Sequence, residues 1–142
     1  MVAKEFAENY APGKDGPAQL DRVPAEVVHA FEKLSIEDPS SCTKYLALVF
    51  IKLYRSHLEC CNQSYDLRTK PSPSIDKESD PLLFQFISLT KMFDASRSIE
   101  FISSGMPYEW IKTNPRLLKD HSIQHEVAII KMKEAQIGKG KS

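Results

Sequence analysis

The sequence has no long apolar run, and that absence removes a class of proteins at once. Its longest such stretch, Tyr45 to Ile51, falls far short of the roughly 20 residues that cross a bilayer as a helix. An excess of charge is missing too: 19 Lys and Arg balance 19 Asp and Glu. The chain as a whole therefore makes no electrostatic case for binding nucleic acid or a membrane. Cysteine is scarce, with three in 142 residues, and Met1 to Asp15 is polar and mixed in charge. These two features argue against a disulfide scaffold and a secretory leader, and for a reducing compartment. No internal repeat and no strong strand pattern appear. What remains, 42% apolar and 27% charged residues, is ordinary for one folded domain with one core.

The periodicity that is present is helical, and the expected architecture is all-α. Residues 1–20 contain Pro12, Gly13, Gly16 and Pro17 with little periodicity, and read as a loose arm. Residues 21–137 form the helical domain, and 138–142 a short basic linker. Pro24 suits the first position of a helix, and Val27, Phe31 and Leu34 then recur at helical spacing to about Ser35. Asp38-Pro39-Ser40-Ser41 is a turn rich in N-cap residues. The longest helix follows, about Ser41 to Leu67, and its first half is apolar nearly all round from Tyr45 to Tyr54. A helix of that kind is buried on more than one side, and in so small a chain a second copy is the simplest source of the remaining cover.

Arg68 to Asp80, with two prolines and three serines, reads as an exposed loop. Asp80-Pro81 opens another helix with Leu82, Phe86 and Leu89 on one stripe; the two long helices make an αα-hairpin. A further helix starts near Ser96 and stops at Gly105. The single tryptophan, Trp110, comes soon after, where Pro107 delays the helix from resuming. A large ring at a helix exit, whose indole N–H needs a partner, acts as a wedge between two pieces of structure. Val127, Ile130 and Ile137 mark a final helix before Gly138.

Catalytic and metal chemistry finds little support. His121 and His125 are four apart, but no third ligand converges on them, and they read as solvated. Cys60 and Cys61 beside His57 are adjacent on a helix and cannot both face one ion. Gly138-Lys-Gly-Lys-Ser142 lacks the first glycine and the following helix of a phosphate loop. No acid–base pair or activated nucleophile stands out, so no enzymatic activity and no cofactor are expected.

Read in order, the second half resembles the core (capsid) protein of hepatitis B-like viruses. The residues that carry the resemblance are Leu82-Leu83-Phe84, Phe86-Ile87-Ser88-Leu89-Thr90, Ser98-Ile99-Glu100-Phe101, Ser104-Gly105 and Trp110-Ile111-Lys112-Thr113-Asn114-Pro115. Val23-Pro24-Ala25-Glu26 looks like the family's first short helix, so the resemblance spans about residues 20–120. Lys112 replaces the family's arginine, Asn114 stands where proline is usual, and Leu117 falls where the family inserts a tyrosine into a neighbouring dimer. Such departures resemble a distant, fish-virus (nackednavirus-type) relative.

The resemblance implies a chain that dimerises through an intermolecular four-helix bundle and then assembles into an icosahedral shell. The dimer seam would hold Leu46, Phe50, Leu53, Cys60, Cys61, Leu82, Phe86 and Leu89. Contacts between dimers would come from Trp110, Ile111, Thr113, Pro115, Leu117 and Leu118. Replacing Trp110 with alanine is then expected to leave a dimer that cannot assemble. Lys139 and Lys141 would lead into a basic, genome-binding tail of the family's type, which contacts viral RNA or DNA. The partners are the chain itself and the viral genome, with no membrane. The location is the virion capsid, and host cytoplasm or nucleus during assembly. The competing class is a small helical adaptor that offers an exposed Trp110 segment to a foreign protein.

Overall fold

A computed structural model of the chain describes residues 2–13, 16–61 and 90–139, without the side chains of residues 16, 17, 60, 61, 90, 91 and 137–139. Among the described residues there are six α-helices and no strand: α1 (Val2–Asn9), α2 (Ala25–Glu37), α3 (Pro39–Cys61), α4 (Ala95–Ser103), α5 (Met106–Thr113) and α6 (His121–Lys139). Short 3-10 turns cover Gly16–Arg22, Thr90–Phe93 and Leu117–Lys119. No described helix is long and apolar enough to cross a membrane.

The expected N-cap cluster starts α3. Pro39 occupies the first turn, where its missing N–H is no loss, and the Ser41 amide and hydroxyl donate to the Asp38 carboxylate at 3.3 and 2.7 Å. These hydrogen bonds hold the Asp38 carboxyl below the usual carboxylate range. From Leu46 to Tyr54 every residue of α3 is buried, because α1, α2, α4, α5, α6 and the Gly16–Arg22 turn all pack on it. The single chain thus covers what the apolar pattern left for a second copy: Leu46, Phe50 and Leu53 are each 0% exposed. Six elements arranged round one axis supply a cover that one partner helix cannot.

The expected loose arm is instead α1 and a 3-10 turn. Ala3, Phe6, Ala7 and Tyr10 recur at helical spacing, and the small Ala3 and Ala7, both buried, allow close approach to the core. Phe6 meets Phe31 edge-on at 6.3 Å. The last turn of α1 is closed from outside itself: Lys52, deep in α3, donates its ammonium protons to the carbonyls of Ala7, Glu8 and Tyr10 at 2.7, 3.1 and 3.0 Å. Helix C-termini leave carbonyls without intrahelical partners, and a cation satisfies both them and the helix dipole. Burial pulls the Lys52 ammonium below its ordinary range, while the Glu126 and Glu8 carboxylates work against that shift. Ser56 adds a second tie, its hydroxyl donating to the Gly13 carbonyl at 2.7 Å.

Asp94 caps α4 by accepting from the Ser96 amide and hydroxyl. The helix stops where expected, at Gly105, which adopts a left-handed φ of 85°. A β-carbon there would also lie 3.3 Å from the Tyr54 hydroxyl oxygen. Gly105→Ala should lower stability by about 1–2 kcal/mol, read as a reduced urea midpoint. Contrary to expectation, Pro107 does not delay the next helix, because it occupies the first turn of α5, where proline is tolerated. Trp110 consequently lies inside a helix rather than at an exit. The last helix, α6, is longer than its apolar marks suggest and runs on through Gly138. It is joined to α3 by an Arg55–Glu126 ion pair at 2.7 Å.

Candidate functional site

The candidate assembly segment divides into a buried and an exposed part. Trp110 is only 2% exposed, and Ile111 and Leu117 are buried with it in their own chain. Leu117 thus faces inward within its own chain, at the position where the resemblance implies a contact with a neighbouring dimer. The chain turns after Thr113, at the end of α5, where the Trp110 carbonyl accepts from the Thr113 hydroxyl at 2.9 Å and the Asn114 side-chain amide at 3.0 Å. That turn leaves Thr113 and Pro115 exposed and Leu118 half-buried. The indole N–H of Trp110, for which a partner was expected, is buried without one among the described residues. An unmade buried hydrogen bond of this kind costs about 1–3 kcal/mol.

One wall of a cleft of about 410 Å³ is built by this turn, through Asn114, Arg116 and Leu117; the other is the first turn of α3. On a different side, Tyr54 of α3 stacks on Tyr108 of α5 at 6.3 Å and donates to Glu134 of α6 at 3.1 Å. Lys112 lies 4.5 Å over the Tyr108 ring and pairs with Glu109 at 2.8 Å. Burial raises the Glu134 carboxyl above its ordinary value of 4.5, with the Tyr54 hydroxyl and Lys112 pulling it back and Glu109 pushing it up. The folded chain therefore holds this proton to higher pH than the unfolded chain does. Its stabilising effect is fully present below about pH 4.5 and is lost as pH rises through the raised value. Glu134→Gln should remove that loss, so the Tm difference between variant and parent should grow in the variant's favour from pH 4.5 to pH 7. Thermal melts across that range check it.

The remaining expected positions are placed as follows. Leu46, Phe50 and Leu53 lie in the core of the single chain. Cys60 and Cys61 end α3 and Lys139 ends α6, but their side chains lie outside the described ones. Leu82, Phe86, Leu89 and Lys141 lie outside the described residues altogether. Cys42 is buried, its thiol pushed up to about 12 by burial and the Asp38 charge, which leaves it without nucleophilic character at neutral pH. His121 and His125 are exposed. Among the described residues no three His, Cys, Asp or Glu side chains could hold a metal. Sequence reasoning missed Lys52, although a lone cation within an apolar run signals that the fold must supply it a partner.

No family model, curated protein or solved structure matches this chain.

Proposed function

We propose that the chain is a self-assembling viral core protein of the hepatitis B-like type, which dimerises and then closes into an icosahedral shell around a genome. The observation that carries this reading is the ordered run of residue groups from Leu82 to Pro115, each at the family's relative place. The surface of the Trp110 turn is in keeping with it. Thr113, Pro115 and Leu118 offer a small contact, and shell contacts are individually weak because many of them sum in the closed particle.

With Leu46, Phe50 and Leu53 enclosed by their own chain, the dimer seam is assigned to the far part of the hairpin, namely Cys60, Cys61, Leu82, Phe86 and Leu89. A dimer made there completes a four-helix bundle from two hairpins. Genome contact is assigned to a basic segment of which Lys139 and Lys141 are part, and the protein's place is the virion capsid.

Light scattering of the purified chain while salt is raised tests the proposal. Growth from a dimer to particles of uniform size supports it. A lone monomer or dimer at every salt concentration overturns it, and favours an adaptor that waits for a foreign partner.

A further inference from the structure

Two histidines that the assembly reading leaves unused stand together at the start of α6. His121 is the first residue of that helix and His125 follows four positions later, so both lie on one face. Both are exposed, and neither makes a hydrogen bond or an ion pair among the described residues. We propose that His121 and His125 form a two-histidine chelate for a divalent transition-metal ion of the imidazole-preferring class, represented by zinc.

Residues four apart on a helix have β-carbons about 5–6 Å apart, and the later side chain leans back over the earlier turn. Two imidazole nitrogens can then reach one ion at about 2.0–2.1 Å each, and this is the spacing at which helical histidine pairs bind zinc. The frame that carries the rings is fixed on several sides. The Asp120 carboxylate accepts from the Ile123 amide at 3.1 Å, the Gln124 side-chain amide donates to the Leu118 carbonyl, and Ile123 is fully buried. A first turn held in this way presents both rings on a formed helix, so little ordering opposes binding. Ser122, Ile123 and Gln124 between them carry no carboxylate, so the pair binds an ion without a neighbouring base to make it catalytic.

The positive end of the helix dipole works against a cation here, by about two- to fivefold in affinity. Asp120 sets a carboxylate at that same end, and Lys44 reaches it only at 3.7 Å, so its charge offsets part of the dipole. The second imidazole outweighs what remains, because even an outer-shell partner of a metal ligand is worth about 10- to 100-fold in affinity. Two protein ligands, rather than three, leave the ion's other positions to water. Binding closes the first turn of α6, the helix that the Arg55–Glu126 pair ties to α3, so the ion stabilises the folded chain by mass action. The site is separate from the self-assembly reading and stands whether or not the chain forms shells.

Isothermal titration calorimetry of the full, untagged chain with zinc chloride at neutral pH tests this in any assembly state. The expected result is saturable binding that His121→Ala and His125→Ala each weaken by about tenfold or more. His29→Ala, at an exposed histidine of α2 that pairs with Glu32 at 3.2 Å, should leave it unchanged. Combining His125→Ala with Gln136→His keeps the number of histidines but breaks their spacing, and should bind no better than His125→Ala alone. Zinc held by cysteine thiols instead would survive both single substitutions. Binding of equal strength in the parent, His121→Ala and His125→Ala overturns the site, as does recovery in the displaced-histidine variant or the lack of saturable binding by the parent. Should His125→Ala fail to fold, His125→Gln replaces it.

Discussion

Trp110→Ala is expected to lower the stability of the chain by about 3–5 kcal/mol, the range for deleting a large buried aromatic ring. Trp110 is among the largest fully buried side chains, and its helix α5 packs on both α3 and α4. The resemblance to a capsid family implies a different outcome, a folded dimer that cannot assemble. A ring that is already covered by its own helices takes its stability with it when removed. A second variant separates packing from polarity. Trp110→Phe keeps most of the ring and deletes the unpartnered indole N–H. It should stay within about 1 kcal/mol of the parent, because relief of the unmade hydrogen bond offsets part of the lost volume. Urea denaturation of both variants measures the difference. An alanine variant as stable as the parent would show that the ring contributes little to its own chain.

Lys52→Met should release the N-terminal segment while the rest of the fold persists. The ammonium closes the carbonyls of Ala7, Glu8 and Tyr10, and methionine keeps the length of the side chain but none of its donors. With eight residues, α1 is too short to be stable without tertiary support. Three carbonyls without their donor, offset by partial access to water after release, place the loss at about 2–4 kcal/mol. In hydrogen exchange the amides of residues 2–13 should lose protection in the variant, while those of α3, α5 and α6 keep theirs. Retained protection at Ala7 and Glu8 would show that apolar contacts through Ala3, Phe6 and Ala7 hold α1 by themselves.

The parts of the fold legible in the sequence are those set by local chemistry. The Asp38–Ser41 cap, the helix stop at Gly105 and the apolar periodicity of α2 and α3 each act within a few residues, and each appears where its residues stand. What the sequence hid depends on partners far along the chain. Helix α1 has helical spacing of its own in Ala3, Phe6, Ala7 and Tyr10, but its end is closed by Lys52, more than 40 positions later, and nothing in residues 1–20 announces that closure. Pro12 and Gly13 follow α1 rather than preventing it, and Gly16 and Pro17 open the 3-10 turn that comes next. Trp110 was misplaced for a local reason: Pro107 reads equally well as a stop and as the first turn of a new helix, and the left-handed glycine before it selects the second. The all-round apolar face of α3 was recognised correctly as buried on several sides. Its cover comes from one chain because short helices and 3-10 turns fill gaps that no periodicity reveals.

For the candidate site the division is similar. The order of residue groups from Leu82 to Pro115 is visible in the sequence, whereas the inward turn of Leu117 and the exposure of Pro115 follow from the Thr113 and Asn114 hydrogen bonds to the Trp110 carbonyl. The cleft opposite joins segments that are about 70 residues apart, and periodicity cannot bring them together.

Negative-stain electron microscopy of the purified chain after a rise in salt tests the central proposal most directly. Closed, hollow particles of one or two discrete diameters are the predicted result. Fields containing only single small molecules, under every salt and protein concentration tried, would contradict a capsid-forming chain.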